Sequence, residues 1–232
     1  MTEPLSYSLE DSLAVVRMDD GKVNALSDAM IDALLAALDR AEREAKALVL
    51  TGRAERFSAG FDLRVMMSGP AQATALLKHG SELLLRYYDA AVPLVIACTG
   101  HALAAGALLV LTGDWRIGAT GAFKIGLNEV SIGLPVPVLA MELARDRLAP
   151  AELPRATLMA NIYTPDDAAR AGFLDAVAPA DEVLARAKQE ATRLAALPAR
   201  PYRATKQYLR RATIDHIRST IDHDFASLLS GA

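Results

Sequence analysis

Two short loops built from small residues could bring backbone N–H groups close to a ligand. They are Ser58-Ala59-Gly60-Phe61-Asp62 and Leu103-Ala104-Ala105-Gly106, and each follows a segment with the character of a strand. Small side chains allow close approach of the backbone, and the second loop runs into a helical pattern whose N-terminus favours negative charge. Two converging N–H groups would form an oxyanion hole. Two ordinary turns explain the same residues equally well, so both interpretations stay open on spacing alone.

One glutamate, Glu129, could supply acid–base chemistry to such a site. It lies in the segment Gly126-Leu127-Asn128-Glu129-Val130-Ser131-Ile132-Gly133-Leu134-Pro135, among apolar residues and glycines. Removal from water would raise the pKa of its carboxyl toward the range that suits a general base. Because glutamates are mostly exposed in proteins, the residues by themselves favour a solvent-facing turn.

Other patterns with known chemistry are absent or have a simpler explanation. The chain has no GxGxxG fingerprint, no GxxxxGK[ST] phosphate loop and no GxSxG nucleophile motif. His216 and His223 lie among aspartates, but a solvated helix face explains them better than a metal site, because close ligand spacing is missing. We therefore expect no metal. Cys98, the single cysteine, lies in an apolar run and is expected to be a buried, inert thiol.

Strand patterns alternate with helical patterns in the elements that must position these residues. Strands are predicted at residues 12–18, 47–51, 92–98, 115–117, 122–125 and 174–178, with a polar loop at 53–60. Helices are predicted from Ser27 to about 46 and at 71–90, 105–112, 136–147 and 151–160, and the tail 181–229 is helical with breaks at Pro198 and Pro201. This alternation predicts an α/β fold followed by a helical tail.

Composition and charge exclude several classes of protein. Of the 232 residues, 52% are hydrophobic and 23% are charged, which is too apolar for a disordered chain. The longest apolar run, 102–111, is about half of what a membrane helix needs, and residues 1–11 lack the apolar core of a secretion signal. The net charge of −3 gives no basic patch for nucleic acid, and a single cysteine suits a reducing compartment. We expect a cytoplasmic protein with neither a membrane nor a nucleic-acid partner.

Several motifs in order resemble those of the crotonase (enoyl-CoA hydratase/isomerase) superfamily. They are Asn24-Ala25-Leu26, Phe57-Ser58-Ala59-Gly60-Phe61-Asp62, Gly100-His101-Ala102-Leu103-Ala104-Ala105-Gly106 with Asp114 eight residues on, Gly126-Leu127-Asn128-Glu129, the segment 168–178, and Thr205-Lys206. The resemblance covers nearly the whole chain. It implies a crotonase-like spiral of repeated β-β-α units over residues 1–180, which holds the active site. A helical C-terminal region, 181–232, would then assemble homotrimers or dimers of trimers.

The resemblance also implies an acyl-CoA substrate and assigns residues to it. The N–H groups of Phe61 and Ala105 match the family's oxyanion hole, which holds the thioester oxygen as an enolate forms. Acyl-CoA-binding positions of the family match Ser58, Ala59, Gly60, Phe61, Asp62, Leu63, Ala105 and Leu108. Leu108, Pro135 and the helix 71–90 are candidates for the wall of the acyl pocket. No cofactor is expected, because coenzyme A is part of the substrate.

The carboxylates indicate which family reaction to expect. Hydratases that this chain resembles use two glutamates to manage one water; the first matches Leu108 here, which cannot move a proton, and the second matches Glu129. A single carboxyl over an enolate can take a proton from one carbon and return it to another. The resemblance therefore implies a Δ3,Δ2-enoyl-CoA isomerase. A hydratase-like or other acyl-CoA reaction is the first alternative, and a non-catalytic acyl-CoA- or RNA-binding relative is the second.

Two features depart from the family pattern. Ala104 and Ala105 stand where family members usually have glycine, so alanine would strain the loop wherever φ is positive. The sequence also ends at Ala232, short of the family's last helix, and we expect the CoA contacts usually made there to differ.

Overall fold

The chain passes back and forth between two sheets, and this alternation generates the spiral. The computed structural model describes residues 3–229, with side chains up to residue 224, so the outermost residues of the predicted regions 1–180 and 181–232 lie outside the description. The larger sheet has the order β1 (Leu5–Glu10), β2 (Leu13–Met18), β3 (Ala47–Thr51), β5 (Leu94–Cys98), β7 (Trp115–Ala119) and β9 (Ala176–Ala178). The smaller sheet has the order β4 (Glu55–Ser58), β6 (Gly100–Leu103) and β8 (Ile125–Gly126).

Pairing within both sheets is parallel, except between β1 and β2. Each of β3, β5 and β7 in the large sheet is followed directly by a strand of the small sheet. The helices are α1 (Asp28–Glu44), α2 (Leu63–Met66), α3 (Pro70–Tyr88), α4 (Ala105–Leu111), α5 (Val138–Arg147), α6 (Leu153–Ala156), α7 (Pro165–Ala171), α8 (Val183–Ala195) and α9 (Ala199–Leu229). The predicted fold class, a spiral of β-β-α units with a helical tail, is confirmed.

Both faces of the large sheet are buried, which explains the continuous apolar runs of its strands. In β5, Leu94, Ile96 and Cys98 join the main core with α1, α3 and α4, whereas Val95 and Ala97 pack in a second cluster with α8. A side-chain period of two sends alternate residues to opposite faces. Cys98 is buried as predicted, and burial raises the pKa of its thiol to about 12.

Several local predictions were wrong, each for an identifiable reason. The polar loop 53–60 contains β4, which forms because it pairs with β6, far along the chain. Pro201 does not break α9, since it lies in the first turn, where a helix needs no intrahelical N–H bond. Only Leu153–Ala156 of the predicted helix 151–160 is helical, and β1, β6 and α7 were not predicted. No helix within residues 3–229 is long and apolar enough to cross a membrane.

Candidate active site

A cavity of about 400 Å³ lies beside the first turn of α4. Its walls come from the two small-residue loops, from α2, α3 and α4, from the segment 128–137 and from the start of α5. Most of the side chains are aliphatic, which is typical of a pocket for an apolar ligand. Leu77 and Leu84 of α3, Leu108 of α4 and Pro135 are part of the wall, where the sequence placed the acyl pocket.

The two small-residue loops meet at one edge of this cavity. A Cβ atom on Gly60 would stand 3.2 Å from the Ala105 nitrogen and 3.0 Å from the Leu103 carbonyl oxygen, and Gly60 has a φ of +91°. A Cβ atom on Gly106 would lie 2.3 Å from the Ser58 carbonyl oxygen. Glycine is therefore required at both positions, because the backbones of the two loops lie in close contact. The two loops pack directly against each other.

Two N–H groups on these loops are left without acceptors in the fold. Among residues 3–229, neither the Phe61 N–H nor the Ala105 N–H donates a hydrogen bond, and both residues line the cavity. Ala105 is the first residue of α4, so its N–H has no acceptor within the helix. The preceding Ala104 N–H, by contrast, is bound to the Gly126 carbonyl at 3.0 Å. Backbone N–H groups without acceptors beside a cavity are the kind of donor that stabilises an oxygen gaining negative charge.

Backbone strain is concentrated where the second loop enters α4. Ala104 has φ +49° and ψ −127°, a combination that side chains other than glycine rarely adopt. The departure noted in the sequence therefore matters at Ala104 and not at Ala105, which is helical. Hydrogen bonds from Ala104 N–H to Gly126 and from Leu108 N–H to the Ala104 carbonyl hold the strained residue in place.

A buried asparagine that sequence reasoning did not assign to the site fixes the first loop. Asn24 Nδ2 donates to the Phe57 carbonyl at 3.1 Å, and the Asn24 carbonyl accepts from Ser58 Oγ at 2.7 Å. Ser58 Oγ in turn accepts from the Gly60 N–H at 3.2 Å. Asn24 has a φ of +52°, which asparagine tolerates better than most residues. Only the motif Asn24-Ala25-Leu26 signalled it in the sequence.

The candidate catalytic and binding residues divide into two groups. Those that line the cavity are Ala59, Phe61, Leu63, Ala105, Leu108 and Glu129, whereas Ser58, Gly60 and Asp62 do not. Asp62 caps α2 through the Arg64 N–H and binds the Arg64 guanidinium at 3.0 Å. The Arg64 side chain lowers the pKa of the Asp62 carboxyl. Ser58, Gly60 and Asp62 thus shape the loop that carries Phe61.

Glu129 is buried, so the solvent-facing turn favoured by the residues alone was wrong. Its residue exposure is 8%, its Oε2 atom has no hydrogen-bond partner among the described residues, and burial raises the pKa of its carboxyl. The Glu129 carbonyl accepts from Ile132 N–H and Leu134 N–H, which folds residues 130–134 back over it. Residues 130–135 are all exposed, and they include the large apolar side chains Val130, Ile132 and Leu134.

Glu129 is the one ionisable side chain among the described residues that line the cavity. The polar side chains beside it are Asn128 and Ser81, and Ser81 Oγ is already bound to the Leu77 carbonyl at 2.7 Å. Phe61 packs its ring against Gly80 of α3, where a Cβ atom would come within 2.1 Å of the ring. Asn128, Ser81, Met66 and the α5 wall were not assigned from the sequence. His216 and His223, the candidate metal pair, are exposed on α9 instead.

Sequence comparisons point to acyl-CoA enzymes. A family model described as enoyl-CoA hydratase/isomerase matches residues 8–228. The mitochondrial enoyl-CoA delta isomerase 1 of Mus musculus is 30% identical over 223 residues, which are 94% of this chain and 77% of that protein. A putative enoyl-CoA hydratase of Thermus thermophilus is 32% identical over 206 residues, which are 85% of this chain and 80% of that protein.

Solved structures share the whole architecture. An enoyl-CoA hydratase/isomerase family protein from Pseudomonas syringae superposes with a TM-score of 0.95 at 38% identity, covering 97% of this chain and 98% of that one. Human mitochondrial Δ3-Δ2-enoyl-CoA isomerase superposes with a TM-score of 0.94 at 29% identity, covering 98% and 91%. The family model spans nearly the whole chain, and these solved structures have the same fold as the chain. This chain therefore belongs to the enoyl-CoA hydratase/isomerase family of the crotonase superfamily.

Proposed function

We propose that this protein is an enoyl-CoA isomerase that converts a 3-enoyl-CoA into the 2-trans-enoyl-CoA. The observation that carries the proposal is that Glu129 is the one ionisable side chain on the cavity wall described here, while Leu108 on α4 is apolar. A double-bond shift needs one group that removes and returns a proton. Hydration needs in addition a group that handles a water molecule, and Leu108 cannot do so.

The reaction balances with the residues present. The Glu129 carboxylate removes a proton from C2, and the electrons of that C–H bond spread over C2, C3, C4 and the thioester oxygen as a dienolate. The same carboxyl then delivers the proton to C4, so the double bond moves from C3=C4 to C2=C3. No co-reactant is consumed, and Glu129 returns to its starting ionisation state.

Burial and free donors suit both halves of this transfer. The raised pKa of Glu129 strengthens it as a base for a weakly acidic C–H bond. The Phe61 and Ala105 N–H groups would bind the thioester oxygen as its charge grows. Loss of one such donor in other enzymes costs about 2.7–4 kcal/mol of transition-state stabilisation. The aliphatic wall excludes water that would otherwise compete for the proton.

The test is a set of 3-enoyl-CoA and 2-enoyl-CoA thioesters of several chain lengths, followed by ultraviolet absorbance of the conjugated enoyl thioester. An isomerase generates this absorbance from 3-enoyl-CoA and brings added 2-enoyl-CoA only to the same equilibrium mixture, in which the conjugated isomer predominates. Sustained loss of absorbance from 2-enoyl-CoA would instead identify a hydratase, in line with the hydratase names among the relatives. Binding of acyl-CoA with no turnover would identify a non-catalytic relative.

The role of Glu129 is tested by Glu129→Gln. Removing a general base that acts in the transition state should lower kcat by about 10²–10⁴-fold, with KM changing much less. Glu182→Gln is the matched control, because Glu182 is exposed at the start of α8 and pairs with Arg186 away from the cavity. Full activity of Glu129→Gln would exclude Glu129 as the proton carrier.

We also propose that the chain assembles as a homotrimer or a dimer of trimers through its C-terminal region. Tyr208 and Leu209 on α9 and Leu197 just before it are large apolar side chains that stand exposed in the single chain. Exposed apolar clusters commonly mark contact surfaces. Sedimentation of the purified protein tests this proposal, and a monomer at micromolar concentration would contradict it.

A further inference from the structure

Asn128 has a polar side chain at the cavity wall whose amide oxygen makes no hydrogen bond within the fold. It directly precedes Glu129 and lines the same cavity, and its Oδ1 atom is buried without a hydrogen-bond partner among the described residues. Its backbone carbonyl accepts from Ser131 Oγ at 2.7 Å, so the turn fixes the main chain at this point. The amide oxygen thus lacks a donor in a site where most other side chains are apolar.

Two buried oxygens on neighbouring residues, Asn128 Oδ1 and Glu129 Oε2, lack a donor at the same time. Buried polar atoms are nearly always paired in folded proteins, so an unpaired couple needs an explanation. Ser81 cannot supply the donor, because its hydroxyl already donates to Leu77. The N–H groups of Phe61 and Ala105 are not counted as donors to these oxygens either, because the proposed function assigns them to the thioester oxygen.

A carboxamide is suited to pair with a carboxyl group in either protonation state. Its NH₂ end donates to a carboxylate, and its oxygen accepts from a protonated carboxyl. A half turn about the last side-chain bond exchanges the two ends, which occupy nearly the same space. A residue that shuttles a proton changes between these two states in each turnover.

We propose that Asn128 is a positioning residue that binds the Oε2 side of the Glu129 carboxyl when acyl-CoA fills the cavity. This interaction leaves the other carboxyl oxygen to face the substrate, so that the proton taken from C2 travels to C4 and is not returned to C2 or lost to solvent. The inference rests on the isomerase function proposed above. It adds that the direction of proton delivery depends on Asn128, which does not itself carry the proton.

The test follows an isotope label, because a merely structural role would not move it. Substrate deuterated at C2 is turned over in ordinary water, and the label is measured in the product at C4, in the solvent and in recovered substrate. Asn128→Leu keeps the branching of the side chain at Cγ and removes its hydrogen-bonding groups. We expect kcat to fall about 10- to 100-fold, as for other small misplacements of a catalytic group, with KM within about threefold of the wild type. The share of label that reaches C4 should also drop, and loss of label from recovered substrate should rise.

Two further variants are needed: Asn128→Asp tests the effect of charge at this position, and Asn161→Leu is the control. Aspartate keeps the shape and adds a second carboxyl beside Glu129, so the acid limb of the pH–rate profile should move to higher pH. Asn161 is exposed and does not line the cavity, so its leucine variant should retain the wild-type label distribution. Asn128→Ser gives the same isotope measurement if Asn128→Leu does not fold.

The outcomes separate this inference from the function on which it rests. A wild-type protein that does not isomerise any 3-enoyl-CoA overturns the proposed function. An isomerase in which the Asn128 variants transfer the label and turn over like the wild type overturns the role of Asn128 alone.

Discussion

The two ends of α4 differ in whether the buried polar groups around them have hydrogen-bond partners. At its C-terminal end the carbonyls are covered by guanidinium groups: Arg147 Nε donates to the Leu111 carbonyl at 3.1 Å, and Arg210 Nη1 donates to the Thr112 carbonyl at 3.3 Å. Cations are favoured at this end of a helix. At its N-terminal end, the Ala105 N–H donates no hydrogen bond within residues 3–229, and Glu129 Oε2 in the adjoining cavity has no partner among the described residues.

An ion cluster just beyond the C-terminal end secures α9 to the core. Asp114 binds Lys206 Nζ and Arg210 Nη2, each at 2.8 Å, and accepts from the Leu94 N–H at 2.8 Å. Arg210 is only 2% exposed, and its Nε is the one atom of this cluster without a partner among the described side chains. Burial alone would raise the pKa of Asp114, but the two cations outweigh it and hold that pKa below its usual range.

The contrast is between buried polar groups that are paired within the fold and buried polar groups that are unpaired beside a cavity. Breaking a buried, paired charge leaves its partner unpaired at high cost, whereas an unpaired group beside a cavity already carries its desolvation cost. Local rules of pairing and backbone geometry are most often violated at functional sites. Ala104, Ala105 and Glu129 violate them here, and Asp114 satisfies them. Substitutions at the two ends should therefore differ in whether they change stability or activity.

The largest effect on stability is expected for Asp114→Asn. Loss of this carboxylate leaves Lys206 and Arg210 buried without their counter-ion, and removal of one partner of a buried pair costs about 3–5 kcal/mol. Urea denaturation measures the loss, and kcat of the folded fraction should stay near that of the wild type. The double variant Asp114→Asn/Lys206→Met should recover part of the stability, and strict additivity of the two changes would refute the coupling.

Ser58→Ala should affect both properties, because Ser58 Oγ joins Asn24 to the loop that carries Phe61. Its removal unpairs the Asn24 carbonyl and the Gly60 N–H, and a buried unpaired group costs about 1–3 kcal/mol. We expect a stability loss of about 2 kcal/mol together with a fall in kcat. Ser68→Ala is the matched control, since Ser68 is exposed beyond α2. A loss of stability with unchanged kcat would show that the loop does not depend on Ser58 for its position.

Lowering the pH should reduce enzymatic activity before it reduces the stability that Asp114 gives to the packing of α9. In the proposed mechanism the reaction starts from ionised Glu129, and burial raises the pKa of this carboxyl above 4.5. We therefore expect kcat/KM to fall by up to tenfold, about 1.4 kcal/mol, per pH unit below that raised value. The fold does not lose stability from Glu129 in this window, because the folded state binds the proton more readily than the unfolded state.

The contribution of Asp114 to stability changes with pH in the opposite direction to that of Glu129. Its pKa is lowered on folding, so its contribution is present above its ordinary pKa of 3.8 and is lost only as the pH falls through the lower, folded-state value. Rate profiles and thermal unfolding of wild type and Asp114→Asn, recorded over the same pH range, test the separation. If the wild-type acid limbs of activity and Tm coincide, the two ends of α4 do not titrate independently.

The smallest effect is expected for Ala104→Gly. Glycine relieves the positive φ of Ala104, and strain of this kind costs about 1–3 kcal/mol. Glycine also gains more freedom in the unfolded chain, so we expect a net stabilisation of about 1 kcal/mol. Ala107→Gly in the helical part of α4 is the control and should destabilise by about 1 kcal/mol. Destabilisation of Ala104→Gly by the same amount would show that Ala104 is not strained.

Local signals in the sequence were sufficient for elements that depend on neighbours in the chain. Ser27 accepts from the Met30 N–H as a cap of α1, and the apolar run at β5 is buried on both faces. β4 was missed because its partner β6 lies more than 40 residues away, and the polar Glu55 and Arg56 carry no strand pattern. Contacts of this kind depend on chain topology and not on local propensity.

The order of the motifs in the sequence determined the family, the β-β-α spiral and the identity of Phe61, Ala105 and Glu129 as candidate site residues. Tertiary structure decided what surrounds them. Burial of Glu129 depends on α3, α4 and α5 closing around a turn that by itself would face water. Position of the first loop depends on Asn24, more than 30 residues upstream. Desolvation and hydrogen bonding at a site come from segments that are distant in sequence, so residue order alone cannot specify them.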